Sequence, residues 1–147
     1  MLMEEVSAYI EFRMDADKKL LYGKWLRDVN NNEYMAGLKQ TYSLISSNNI
    51  VRWVQNSEQL RPRTLADQKW VAEEFALLLS LSSIKYIAIV VLPESAHYNV
   101  LLSLREKAYR IFGKNKCIEL FETEQDALAW LIPNLQFYRL PSTIHTI

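Results

Sequence analysis

Few residues in this chain can do chemistry, and most of them fall in two short stretches. Asn56, Ser57, Arg61 and Arg63 follow one apolar run, and Glu94, Ser95 and His97 follow another. Two arginines near a helix start suit a phosphate or carboxylate, because each guanidinium presents a planar fork of donors. The plainer reading is a solvated loop whose arginines meet water or nearby glutamates. Ser95 and His97 invite a hydrolytic reading, but a triad is defined by geometry, and Ser-x-His is no triad spacing. Ser95 reads better as the cap of the helix that follows it. Asp15 and Asp17 flank Ala16. They offer too few oxygens for calcium, and Asp side chains bond their own backbone in turns. Lys114 and Lys116 can favour a thiolate at Cys117, yet a buried cysteine acting as a small hydrophobe is the favoured expectation. His145 reads as a surface histidine.

Composition narrows the chemistry further. The single cysteine excludes an intramolecular disulfide framework, and one Cys with two His argues against a four-ligand zinc site. Only three glycines occur, far apart, so there is no dinucleotide fingerprint and no P-loop. No metal and no cofactor is expected. Lys plus Arg equals Asp plus Glu, 17 of each, which is not the balance of a nucleic-acid binder. Met1-Leu2-Met3-Glu4-Glu5 has neither a basic start nor an apolar run, so no signal peptide is expected. The longest apolar stretch, Ile87 to Leu92, is far short of the ~20 residues needed to span a bilayer. The expectation is a cytoplasmic protein without membrane insertion.

The candidate residues need a scaffold, and the hydrophobic periodicity supplies one. Its 147 residues, half of them hydrophobic, fit one domain, with a core over about 7–132 and an apolar tail over 133–147. Ala8, Ile10 and Phe12 alternate with Tyr9, Glu11 and Arg13, which reads as a half-buried strand. Leu20 to Trp25 reads as its hairpin partner. Asn30 to Asn32 can cap a helix that carries Tyr34, Leu38, Tyr42 and Ile45 and ends near Asn48-Asn49. Ile50 to Val54 is a third strand and Asn56 to Pro62 a loop. Thr64 caps a second helix with Val71, Phe75, Leu78 and Leu79 on its stripe. Tyr86 to Leu92 is apolar at consecutive positions, the pattern of an interior parallel strand buried on both faces. A third helix runs from Ala96 to Phe112, a fifth strand from Lys116 to Phe121, and a fourth helix is capped by Thr123 and stopped by Pro133. The expected fold is α/β: a five-stranded mixed sheet with four helices in the order ββαβαβαβα, with right-handed crossovers.

This order resembles the STAS domain, found in anti-sigma factor antagonists of the SpoIIAA type and in the cytoplasmic tails of sulfate transporters. The details are most similar to small stand-alone bacterial SpoIIAA-like proteins. The segments that carry the resemblance are 9–13, 19–26, Val51-Arg52-Trp53-Val54, Asp67 to Phe75 and Lys85 to Val90. Sigma-regulating members carry a phosphorylatable Ser just after the third strand, usually behind an Asp and before Ser-Gly or Thr-Gly. Ser57 occupies that region here, with Asn56 in place of the acid and no Gly following. The resemblance implies a non-enzymatic regulatory or protein-interaction module, with Ser57 as a phosphorylation site.

In a parallel sheet, ligands collect at the carboxyl ends of the strands, where helix N-termini converge. The residues after the third and fourth strands, Asn56, Ser57, Arg61, Arg63, Ser95 and His97, fall on that edge and form the expected recognition loop. An alternative is a small apolar or anionic, lipid-like ligand bound at the same edge. Trp25, Trp53, Trp70 and Trp130 read as core, with the lining of an apolar pocket as the second reading. A one-way winding leaves part of one sheet face bare, so the hairpin, the apolar tail or a second subunit must cover it. A two-fold homodimer with Phe137, Tyr138 and Leu140 near its interface is the expected solution.

Overall fold

The computed structural model describes residues 7–144; the N-terminal pentapeptide and His145 lie outside the described residues. Strands β1 (Ile10–Asp15) and β2 (Leu20–Trp25) pair antiparallel. Asp15 makes the turn between them: its Oδ1 accepts from the Lys18 N–H at 3.1 Å, as an Asp side chain in a turn does. The first strand starts two residues later than the alternation suggests. Ala8 is exposed, and Tyr9 turns inward to stack on Trp25.

Helix α1 (Asn31–Asn48) opens with a capping box, in which Asn30 and Glu33 each accept from the other's backbone N–H. It closes at Asn49, which takes the left-handed conformation at φ 51°. β3 (Arg52–Asn56) lies two residues beyond the expected strand. The Val51 carbonyl meets the Lys85 and Tyr86 N–H groups just before the ladder begins. Helix α2 covers residues 65–80, capped by Thr64, and contains a π-helical turn at Val71–Phe75. β4 (Tyr86–Val90) leads to α3 (Ala96–Phe112), and Gly113, at φ 78°, ends α3 in a region open to glycine. β5 (Cys117–Phe121), α4 (Glu124–Leu131) and a 3-10 turn at Leu135–Phe137 complete the order.

The sheet is mixed, in the order β1-β2-β3-β4-β5, with β2 to β5 parallel. Its two faces follow from the register. Leu21, Trp53, Ile87 and Ile118 align on one face, and Tyr22, Val54, Ala88 and Glu119 on the other. The first face packs under α1 and α2, with Tyr34, Leu38, Ile45, Phe75 and Leu79 in its core. Leu101 and Leu104 of α3 extend that layer around Ala72 and Val91. The second face carries Leu20, Tyr22, Val54, Ala88 and Val90 against Ala127, Leu128 and Leu131 of α4.

The strand expected to be buried on both faces is so buried: Ile87 is 4% exposed and Ala88 and Val90 are fully covered. Tyr86, at the start of the strand, and Leu92, beyond its end, depart from that expectation at 39% and 48% exposure. The chain's own tail helps to cover the second face, with Leu135, Tyr138 and Leu140 packed there. The tail then crosses to β1, where Thr143 bridges Arg13 and the Ile144 N–H donates to the Phe12 carbonyl at 2.6 Å. Tyr138 and Leu140 are therefore partly used inside the chain, and only Phe137 of the three expected dimer contacts projects, at 84% exposure. Among the described residues, no helix is long and apolar enough to cross a membrane.

Candidate functional site

The helix starts at Asn31, Leu65, Ala96 and Glu124 all follow strand carboxyl ends, so the expected recognition residues do lie along one edge. The alternation of β3 divides them. Gln55 faces the α1–α2 side, and Asn56 faces α4.

On the α4 side, the Asn56 amide donates to Glu124 Oε2 at 2.7 Å and to Glu58 Oε1 at 3.0 Å. The Glu58 N–H returns a bond to Asn56 Oδ1 at 3.0 Å. The Tyr22 hydroxyl donates to the same Glu124 oxygen. Burial, and then the Glu124 carboxylate, hold the Tyr22 phenol well above its ordinary range. Glu124 thus ties β2 and β3 to the first turn of α4.

On the other side, Ser57 is 1% exposed. Its Oγ accepts from Gln55 Nε2 at 2.8 Å, and its N–H donates to the Val90 carbonyl at 2.8 Å. Arg63, expected in a solvated loop, is 6% exposed instead. Its Nε and Nη2 donate to Asp67 Oδ2 at 3.2 and 2.9 Å, and Nη2 also reaches the Val29 carbonyl at 3.0 Å. Its Nη1 reaches Asp28 Oδ1 at 3.2 Å, and the guanidinium lies 4.5 Å from the Tyr34 ring centroid. A buried guanidinium needs these partners, since an unpaired charge is costly in the interior. Arg61 is exposed, with its backbone N–H held by Asp28 Oδ1 at 2.9 Å.

Ser95 caps α3: its Oγ accepts from the Tyr98 N–H and donates to the Leu92 carbonyl. His97, two residues on, is 1% exposed, and neither ring nitrogen has a partner among the described residues. Ser95 and His97 therefore share no hydrogen bond, and no nucleophile–base pair forms there. Burial first, and then the Arg63 guanidinium, push the His97 imidazole down to about 4, with Asp28 pulling the other way.

The unfolded chain takes up this proton near pH 6.5, while the folded chain resists it until about pH 4. The stabilisation is complete above pH 6.5 and is lost as pH falls toward 4. The loss attributable to His97 is at most about 3 kcal/mol. Urea melts of wild type and His97→Leu across pH 7.5 to 4 are expected to diverge by that order in the acid range. At pH 7.5 the variant should match or exceed wild type, because it removes two unpaired polar atoms. Parallel pH profiles would refute this account of His97.

Elsewhere, the sequence candidates divide. Cys117 is exposed at the start of β5, not buried as expected: β5 is an edge strand, and the cysteine stands at its first position. Trp25 and Trp53 are core, whereas Trp70 is half-buried against Phe75 and Trp130 is 38% exposed beside Tyr86 and Phe121. Asp28, Asp67 and Glu124, which organise the edge, were not among the sequence candidates. Asp67 was legible, four residues from Arg63 on the same helical approach. Glu124 and Tyr22 are 102 residues apart, and no local pattern joins them. Among the described residues, no group of three or more His, Cys, Asp or Glu is placed to hold a metal ion. No protein-family model, curated protein or solved structure matches the chain.

Proposed function

We propose that this chain is a non-enzymatic, cytoplasmic regulatory or interaction module, and that the loop from Asn56 to Arg63 is the surface it offers a protein partner. The observation that supports this most is a loop pinned from within and free on its outer side. Ser57 is bonded to β4, Leu60 is buried, the Arg61 backbone is held by Asp28, and Arg63 is locked beneath Tyr34, Asp28 and Asp67. Gln59, Arg61 and Pro62 remain exposed on that fixed backbone. A surface ordered before binding loses little entropy on association. Asn56, Ser57, Arg63 and Ser95 are meanwhile engaged in holding the edge together, which favours recognition over turnover.

The STAS-like resemblance adds a switch to this reading. A phosphate on Ser57 carries a charge of about −2 and cannot stay beside Val90 and Gln55, so modification would release the loop. Phe137 is the contact proposed for a two-fold homodimer. The test compares wild type with Arg61→Glu/Gln59→Ala as baits in quantitative pull-downs, with sedimentation velocity of the same proteins and of Phe137→Ser at high micromolar concentration. The expected result is a partner held by wild type and lost from the loop variant at unchanged Tm, with a dimer that Phe137→Ser weakens. Identical capture by both baits would refute the loop assignment, and a strictly monomeric wild type would refute the dimer.

A further inference from the structure

Between α2 and α3 the helices do not close fully over the sheet. A cavity of about 90 Å³ lies between them, walled by Trp53, Phe75, Ile89, Leu101, Leu104 and Ile118. A second cavity of about 90 Å³ continues it toward Phe112, with Ala76 and Ala108 lining both. Well-packed interiors leave few spaces larger than a water molecule. Here the space stays open because alanines stand where the two helices meet.

On the outer side of the same seam is a groove lined by Leu65, Lys69, Glu73, Lys107, Arg110 and Ile111. Ala72 lines both this groove and the first cavity, so the two meet at that residue. It lies within the π-helical turn at Val71–Phe75, an irregularity that frequently marks function. The groove's charge is unbalanced. It has three cations against one carboxylate, and among the described residues none of the three cations is in an ion pair. Leu65 and Ile111 add exposed apolar surface, at 82% and 60% exposure.

We propose that the α2–α3 seam binds a short unbranched alkyl carboxylate, with the chain between the helices and the carboxylate at Lys69, Lys107 and Arg110. A largely apolar slot that meets a groove of unpaired cations at Ala72 matches a molecule with an apolar tail and an anionic head. The slot's size favours a chain of a few carbons over a full-length lipid tail. Its cations lie outside the 56–63 loop, so the site stands whether or not that loop binds a partner.

The test titrates butanoate, hexanoate and octanoate into the full chain, followed by amide NMR shifts and calorimetry at pH 7. Affinity is expected to rise about fourfold per added methylene until the slot is full, with the largest shifts at Ala72, Ala76 and Ala108. Octyltrimethylammonium, with the same chain and opposite charge, should bind at least tenfold more weakly than octanoate. Lys107→Glu/Arg110→Glu should weaken octanoate at least tenfold. Ala108→Leu should remove the chain-length dependence, and Ala76→Leu serves the same purpose if the first variant folds poorly. No shift with millimolar octanoate, equal binding of the ammonium probe, or unchanged affinity in the folded cavity-filling variant would each overturn the proposal.

Discussion

Arg63→Ala is expected to destabilise the fold by about 3–5 kcal/mol, lowering Tm by roughly 10–16 °C. The side chain is buried and donates to Asp67, Asp28 and the Val29 carbonyl. Removing it strands the Asp67 carboxylate, itself 2% exposed, because the Thr64 cap bond engages only the Asp67 backbone N–H. That penalty, more than any loss of attraction, sets the size of the effect. Asp67→Ala should cost a comparable amount, for the mirror-image reason. The pair replaced together, as Arg63→Met/Asp67→Leu, should recover most of the loss, since no buried charge is then left unpaired and only the Val29 carbonyl and the more exposed Asp28 lose a donor. Urea melts at pH 7 measure all three. A loss below about 1 kcal/mol for Arg63→Ala, the range of exposed pairs, would mean that water reaches the pair. The His97 imidazole gives a second readout. Without the Arg63 charge its pKa should rise from about 4.

How much of this was legible in the sequence depends on the range of the interaction. Caps are local, and Thr64, Ser95 and Thr123 read correctly because each bonds an N–H three residues ahead. The interior strand read correctly because burial on both faces leaves an unbroken apolar run. Arg63 and Cys117 misled for a shared reason, since a residue type reports an average environment and the fold imposed a particular one. The loop that carries Arg63 runs back beneath Tyr34 and Asp28, whereas β5 ends the sheet and leaves its first residue in solvent. The π-helical turn at Val71–Phe75 has no distinct spacing in sequence, so the Ala72 seam was invisible. The tail's apolar residues did announce a surface needing cover, but composition alone could not decide between another copy and the chain's own sheet.

Trp25→Ala should cost about 3–5 kcal/mol, and the neighbouring glycine allows a sharper test than the size alone. Trp25 is fully buried and stacks between Tyr9 and Tyr34, with ring centroids 6.3 and 5.5 Å away. The indole also lies against the backbone of α1. A Cβ on Gly37 would meet its Cη2 at 2.5 Å and its Cζ3 at 2.9 Å. Gly37 is thus required by the close approach of an aromatic ring, although mid-helix glycine is intrinsically unfavourable by about 1 kcal/mol. Alone, Gly37→Ala should destabilise by about 1–3 kcal/mol, because the indole and its two stacked neighbours must shift. In the Trp25→Ala background the clash is gone and only helix propensity remains, so the same substitution should stabilise by up to about 1 kcal/mol. The sign of Gly37→Ala therefore reverses with its neighbour, an interaction that a double-mutant cycle reads directly from four denaturation curves. Additive effects would show that α1 can move off the sheet without cost, and that the packing of Trp25 does not fix the distance between them.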